Sequence, residues 1–406
     1  MARLLIAGGG FAGFWAAAAA ARLRRDSPTL ATLEIVLISR EDQLVIRPRL
    51  YEPDPSQMSV PLVPRLEAIG VRFVQGEISS VDVEGAKVQT AATNISYHRL
   101  VLATGSQLAR PAGAVGEHGF DIDTLAGAAA LDRHLRGLAA RPESEGRWTV
   151  VIAGGGFTGI ELATALPERL RDIGSAKTRV ILVETADRIG VSLGDGPNAA
   201  IHDALAAAGI ETRTEVTIVS TDSAGVTLSN GERIACQTLV WTTGMRASPL
   251  AGRISTRTDS LGRIAVTPEL RLVGNDAGID HVFAAGDVAH AAADGDHAIL
   301  QSCQHAQVTG RFAGYNAAAD LAGLPLQMYR QPLYTTCLDL GASGAVLTKG
   351  WDRTVEATGE HAKTIKRRIN TQLIYPPADR EAILAAAAPV VMDDEMFTRR
   401  LLATIK

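Results

Sequence analysis

The sequence predicts an α/β fold of two doubly wound parallel-sheet units, each with an inserted antiparallel meander, followed by a small C-terminal α+β domain. Three observations lead there. The run IAGGGFAG at residues 6–13 returns almost unchanged as IAGGGFTG at residues 152–159. Each copy follows a short apolar run and opens an alanine-rich stretch with helical character. A second echo follows each copy, LATGS at 102–106 and WTTGM at 241–245.

A Gly-x-Gly-x-x-Gly run between a strand and a helix is the turn of a Rossmann-like dinucleotide-binding unit. Gly8 and Gly154 permit the tight turn, Gly10 and Gly156 let backbone approach a pyrophosphate, and Gly13 and Gly159 let helix pack on strand. The pyrophosphate then meets free N–H groups at the positive end of the helix. One such loop can be only a turn. Two loops 146 positions apart, about one domain length, argue for two nucleotide sites in one polypeptide.

Residues 3–7 read as the first strand, 11–25 as a helix and 34–38 as the second strand. That strand ends in Ser39 and Arg40, where such units usually carry an acidic residue for the ribose. Ser39 can still hydrogen-bond a ribose, or be an ordinary loop serine. Residues 71–74, 78–83 and 87–90 alternate as an antiparallel meander, and 97–103 form a strand running into Thr104-Gly105-Ser106. Residues 111–145 read as a linker and a helix.

The second unit repeats the order: strand 149–153, helix from 159 to 172, strand 179–183, helix 201–208, meander 215–228 and strand 239–241, which runs into Thr243 and Gly244. Glu184 stands at the end of its second strand, where a carboxylate can accept ribose hydroxyls and repel a 2′-phosphate, favouring NAD(H) over NADP(H). Residues 281–287 form a strand ending in Gly286-Asp287, and 298–319 read as a long helix. The expected division is 1–112 and 251–328 for the first unit, 113–250 for the second, and 329–406 for the C-terminal domain.

Composition narrows the function. Of 406 residues 46% are hydrophobic and 21% charged, as in globular proteins, and a net charge of −4 gives no reason to expect nucleic acid. Cys236, Cys303 and Cys337 form no Cys-x-x-Cys pair, which argues against a disulfide framework or dithiol relay. No cleavable leader is expected, because the chain runs from Met1 straight into a strand the fold needs. The most apolar run, 14–21, is far short of the about 20 residues needed to cross a bilayer. A reducing, cytoplasmic setting follows, with contact at the inner face of the membrane left open, as is a homodimer. No metal cluster is evident.

IAGGGFAG, VIRPRLYE (45–52), LVLATGS, IAGGGFTGIELA, WTTGM and VFAAGDVA (282–289), in that order, resemble the two-dinucleotide pyridine-nucleotide reductase superfamily, and within it the type II NADH dehydrogenases and their soluble FAD-containing relatives. The resemblance covers roughly residues 3–330 and implies FAD at the first loop and NAD at the second. It places Gly8, Gly10, Phe11, Ala12, Gly13, Ser39, Arg40, Arg47, Ile78, Ala103, Thr104, Gly105, Gly286, Asp287 and Gln304 at FAD. It places Gly154, Gly156, Phe157, Thr158, Gly159, Glu161, Glu184, Thr243 and Gly244 at NAD. Asp287 takes the ribityl chain, and the positive end of the helix after it faces the flavin.

By the same resemblance Glu161 and Gln304 are the catalytic candidates. Glu161 either sits by nicotinamide and flavin or is a first-turn glutamate serving the helix dipole. Gln304 matches the family's Ala-Gln-x-x-x-Gln signature, whose second glutamine is Val308 here. Arg47 contacts the flavin or pairs with Glu52. The basic run 363–368 is most simply a solvated face, and residues 396–405 have mild amphipathic character that weakly supports surface binding. Cys337 invites comparison with sulfide:quinone oxidoreductases, whose chemistry needs a second cysteine that only Cys303 could supply. The expected activity is NADH dehydrogenation through FAD to an acceptor, a quinone by family expectation. A reductase of a ferredoxin or rubredoxin, and a slow redox sensor resembling apoptosis-inducing factor, remain as alternatives.

Overall fold

A computed structural model describes residues 2–111, 113–175, 177–254, 257–274 and 279–391. Two five-stranded parallel sheets organise them. The first runs Val282–Ala284, Arg99–Leu102, Arg3–Ala7, Glu34–Ser39, Arg72–Gln75 in spatial order, and the second Phe120–Asp121, Thr238–Trp241, Thr149–Ala153, Arg179–Val183, Glu211–Arg213. Four strands of each sheet keep the same order, so the internal repeat is a repeat of topology, but the fifth differs: Val282–Ala284 comes last in its unit and Phe120–Asp121 first in its own. An outer strand of the first sheet is supplied only after the second unit is complete, which closes that sheet around a long insertion.

The central strands Arg3–Ala7 and Thr149–Ala153 are almost wholly apolar because both faces are covered. Each sheet carries an antiparallel three-stranded meander: Ile78–Asp82, Lys87–Thr90 and Asn94–Ser96 in the first unit, and Ile218–Asp222, Gly225–Leu228 and Arg233–Ala235 in the second. The sequence reading put 71–74 in the first meander, but Arg72–Gln75 pairs in parallel with Glu34–Ser39. The third strand of the meander is Asn94–Ser96, whose one buried residue, Ile95, gives too short a pattern to read.

Helix Phe11–Asp26 is buried through eleven consecutive residues, Phe11 to Ala21, which explains its lack of a polar face. It packs on helix Cys303–Leu321 so closely that a Cβ on Gly310 would lie 2.4 Å from the Ala12 carbonyl oxygen, and one on Gly314 would lie 2.0 Å from that of Ala16. The expected helix over 298–319 begins only at Cys303, where the Ser302 hydroxyl caps it by accepting from the His305 N–H.

The C-terminal part is an antiparallel sheet, Thr335–Asp339, Ala345–Lys349 and Thr354–Thr358, covered by helix Gly359–Arg368, which widens into a π turn at Ile369–Leu373. Asp379 caps helix Arg380–Ala386. The amphipathic stretch expected at 396–405 lies outside the described residues. Among the described residues no helix is long and apolar enough to cross a membrane.

Gly310→Ala should cost about 1–3 kcal/mol of stability through overpacking, outweighing the roughly 1 kcal/mol that alanine gains over glycine within a helix. Chemical denaturation checks this, the expected outcome being a lower midpoint at unchanged slope.

Candidate active site

The two glycine loops are built alike. Gly8 and Gly154 have φ of +119° and +112°, which a side chain rarely adopts. A Cβ on Gly13 would stand 1.8 Å from the Gly8 carbonyl oxygen, and one on Gly159 would stand 1.9 Å from that of Gly154. The N–H of Gly8 donates to Ile38 and that of Gly154 to Val183, both at 2.8 Å. The helices then start at Phe11 and Phe157 without a side-chain cap. Helices Leu125–Gly137 and Cys303–Leu321, by contrast, are capped by Thr124 and Ser302. Uncapped N-terminal N–H groups are an anion site in waiting.

The backbone of each loop and of each echo is open to close approach by a ligand. Among the described residues, no heavy atom beyond the immediate chain neighbours lies within 4 Å of where a Cβ would sit on Gly10, Gly105 or Gly244, and Gly156 meets only Ser192 Oγ at 3.8 Å. Thr104 Oγ1 is buried without a hydrogen-bond partner among the described residues, whereas its counterpart Thr243 donates to the Ala109 carbonyl oxygen at 2.7 Å. The residues present therefore fit two dinucleotide cofactors.

Ser39 and Glu184 occupy equivalent places beside the middle glycine of each loop. Ser39 Oγ lies 2.6 Å from where a Gly9 Cβ would be, and Glu184 Oε2 lies 3.0 Å from that of Gly155. Glu184 Oε2 accepts from the Gly155 N–H, while Oε1 accepts from both N–H groups of Thr185 and Ala186 and from the Thr185 hydroxyl. Burial raises its proton affinity, but the N–H donors outweigh this and hold it below the usual carboxylate range. Oε1 is saturated, so the two-oxygen grip expected on a ribose reduces to Oε2.

The strands following the echoes, Ser106–Leu108 and Met245–Ala247, pair antiparallel and join the two units. Arg47 crosses this joint. It bonds Asp123, approaches Ser106 Oγ at 3.3 Å and Met245 Sδ at 3.4 Å, and lies 3.7 Å from Asp287 Oδ2. The partner of Glu52 is Arg49, not Arg47. Ser106 donates to Asp287 Oδ2 at 2.6 Å. Burial raises the proton affinity of Asp287 against the opposing charge of Arg47. Asp123, which also accepts the Leu108 N–H, carried no sequence signal.

Other candidates are less committed. Phe11 and Ala12 are buried, Phe157 is half-buried and Thr158 exposed. Ala103 is buried at the end of its strand, and Gly286 (φ +73°) approaches Ala12. Arg40 is exposed and pairs with Glu41, and half-buried Ile78 opens the first meander. Gln304 is half-buried in the first turn of its helix, and Val308 lies in the core.

Glu161 is neither exposed nor in the first turn. It is the fifth residue of its helix and 2% exposed, paired with Lys366 Nζ at 2.7 Å and accepting the Asp339 N–H at 3.0 Å. Burial pushes its proton affinity up to about 7 against the opposing charge of Lys366. The solvated face expected over 363–368 is therefore wrong for two of its residues: Lys366 is buried, and Lys363 pairs with Asp339. Their i, i+3 spacing puts both on one face of the helix and was the missed signal.

All three cysteines are free thiols. Burial raises Cys303 to about 11 and Cys337 to about 12, so neither is a ready thiolate. His305 is fully buried and stacks on Tyr334 with ring centroids 5.0 Å apart.

These two cradles, meeting at one antiparallel joint, define a two-nucleotide α/β oxidoreductase fold. The chain belongs to the pyridine nucleotide-disulphide oxidoreductase family, whose model matches residues 2–310. An NADH dehydrogenase-like protein of Mycobacterium tuberculosis is 44% identical over 96% of this chain and 99% of its own length. The demethylphylloquinone reductase of Synechocystis is 29% identical, covering 85% of this chain and 86% of its own. Among solved structures, the sulfide:quinone oxidoreductase of Aquifex aeolicus shares the fold, with a TM-score of 0.76 at 19% identity over 99% of this chain and 96% of that one.

His305 supplies a stability test. Burial lowers it from an ordinary 6.5 to about 3, so the folded protein keeps the imidazole neutral while the unfolded chain protonates it. Its contribution is complete above pH 6.5 and is lost as pH falls toward 3, at about 1.4 kcal/mol per pH unit. Urea unfolding at successive pH values should show a shallower acid slope in His305→Gln than in the parent.

Proposed function

We propose that the protein is an FAD-dependent NADH dehydrogenase that delivers electrons to a quinone. The observation that carries this reading is the repetition of one cradle with different residues, Ser39 and Glu184, at equivalent places. A carboxylate at the second loop suits the adenosine ribose of NADH, whereas a serine at the first leaves room for a differently held dinucleotide. FAD, when bound, supplies the two-electron chemistry that links nicotinamide to the acceptor.

The chain's own residues bind, orient and hold protons. The Gly8–Gly13 segment with 1–112 and 251–328 would hold FAD, with Asp287 Oδ1, which has no hydrogen-bond partner among the described residues, offered to its ribityl hydroxyls. The Gly154–Gly159 segment within 113–250 would hold the NADH pyrophosphate and Glu184 Oε2 its ribose. Arg47 fixes the joint between the units through Asp123. Reduction of a quinone by NADH takes up one proton besides the hydride, and Glu161, holding a proton near neutral pH, is suited to supply it. The similarity to a demethylphylloquinone reductase supports a quinone acceptor.

Anaerobic mixing with NADH, followed by a panel of acceptors, tests the reading. The purified protein should be yellow, bleach with NADH and regain colour with a quinone analogue. Reoxidation by a ferredoxin alone selects a carrier reductase, and slow reoxidation by every acceptor selects a sensor. Protein that stays colourless when supplied with FAD overturns the reading altogether.

Asp287→Ala should lower the FAD-to-protein ratio after gel filtration. Retention of full flavin content would show that Asp287 has another role. Glu184→Gln should reduce the NADH-to-NADPH ratio of kcat/KM about tenfold, the equivalent of one charge-assisted hydrogen bond.

A further inference from the structure

Glu161 is held by the C-terminal segment. Asp339 gives its backbone N–H to Glu161 Oε1, while its own carboxylate is taken up by other groups. Lys363 Nζ and the Gly341 N–H donate to Oδ1, the latter at 2.8 Å, and the Tyr51 hydroxyl donates to Oδ2 at 3.0 Å. Tyr51 is steadied in turn by Asn370, on the π turn, whose amide approaches its hydroxyl at 3.4 Å and donates to Glu52 at 2.9 Å. The charged and titratable groups around Glu161 are Asp339 and Cys337 on one strand, Lys363 and Lys366 on one helix, and Tyr51 and Glu52 on the loop after Arg47.

The members differ in their access to water. Glu161 and Lys366 have side chains 3% and 5% exposed, whereas Asp339 and Lys363 are at 10% and 16%, nearer the surface. Lys363 neutralises a carboxylate that would otherwise face Glu161 across a dry interior, where charges act strongly on one another. The backbone contact and Lys366 together hold the Glu161 carboxylate, Lys366 supplies the main field on it, and the Lys363–Asp339 balance sets how much of the Asp339 charge adds to that field.

We propose that Asp339 and Lys363 form a positioning pair through which the C-terminal segment decides the pH range in which Glu161 holds a proton. The pair touches neither nucleotide loop. Its consequence for turnover rests on the reading of Glu161 given above, but the pairing does not.

The sign is opposite for the two partners. Lys363→Gln removes a cation and leaves Asp339 unbalanced, so Glu161 should release its proton at higher pH. Asp339→Asn removes the facing anion and leaves Lys363 unbalanced, so release should fall to lower pH. The readout is pH-difference infrared spectroscopy of the intact flavoprotein, following the protonated-carboxyl band that disappears in Glu161→Gln. Midpoints displaced in opposite directions by about half a pH unit or more, with Lys363→Arg restoring the parent value, support the pair. Midpoints that stay put or move together overturn it.

If Asp339→Asn does not fold, Lys363→Gln against Lys363→Arg decides alone, equal midpoints being the overturning result. The acid and base limbs of kcat against pH are recorded on the same proteins. Limbs that follow the infrared midpoint support both ideas. Displaced midpoints with fixed limbs support the pair and count against a proton role for Glu161 in turnover.

Discussion

The structure depends on two places where backbone meets backbone with no side chain between, Gly13 against the Gly8 carbonyl and Gly159 against that of Gly154. At 1.8 and 1.9 Å, a Cβ is excluded by more than an ångström at either site, so the contact admits only glycine. It seats the helix start directly over the end of the central strand. Because neither helix is capped by a side chain, the N–H groups there remain unsatisfied and can be met by a phosphate. The fold and the open helix start therefore follow from one steric fact, and its duplication goes with four strands in the same order in both sheets.

Close approach also governs how the first unit is assembled. With alanine along helix Phe11–Asp26 and glycine at 310 and 314, the backbones come near enough that Arg311 lies over the Trp15 ring at 4.1 Å. This seats helix Cys303–Leu321 beside the first loop, and Thr309 Oγ1 accepts the Gly286 N–H at 2.9 Å, tying the helix to the segment that bears Asp287. The Ser302 hydroxyl already accepts from an N–H at the start of that helix. Its positive end is therefore partly spent, and contributes less to a neighbouring anion than the uncapped ends at the two glycine loops.

What the sequence shows most plainly is backbone demand. Gly8, Gly13, Gly154 and Gly159 stand where only one residue type fits, and Glu184 stands at a strand end the loops locate, so pattern alone finds them. The strand Arg72–Gln75 was misplaced because each of its partners is 36 residues away, and parallel pairing leaves no local turn to mark it. Arg47 was found, but its partner Asp123 was not, since 76 positions separate them and an aspartate before a helix has many uses. Lys363 and Lys366 were misread because a basic helical run is usually wet. Their burial is decided by strand Thr335–Asp339 and Glu161, which only the folded chain brings alongside.

That buried pair raises an energetic question, since taking two charges out of water commonly costs more than their attraction returns. Part of the answer lies in where each charge stands. Lys366 is in the last α-helical turn before the π turn, and its Nζ lies over the rings of Tyr51 and Phe157, 5.8 and 5.4 Å from their centroids, which favour a cation. Glu161, at the fifth position of its own helix, lies beyond the reach of that helix's positive end. Lys366 is therefore the better stabilised partner and stays protonated, kept so by Glu161 against its burial. The asymmetry leaves the glutamate as the member whose charge can change. A structural ion pair needs no such inequality, whereas a group that must exchange a proton near neutral pH does.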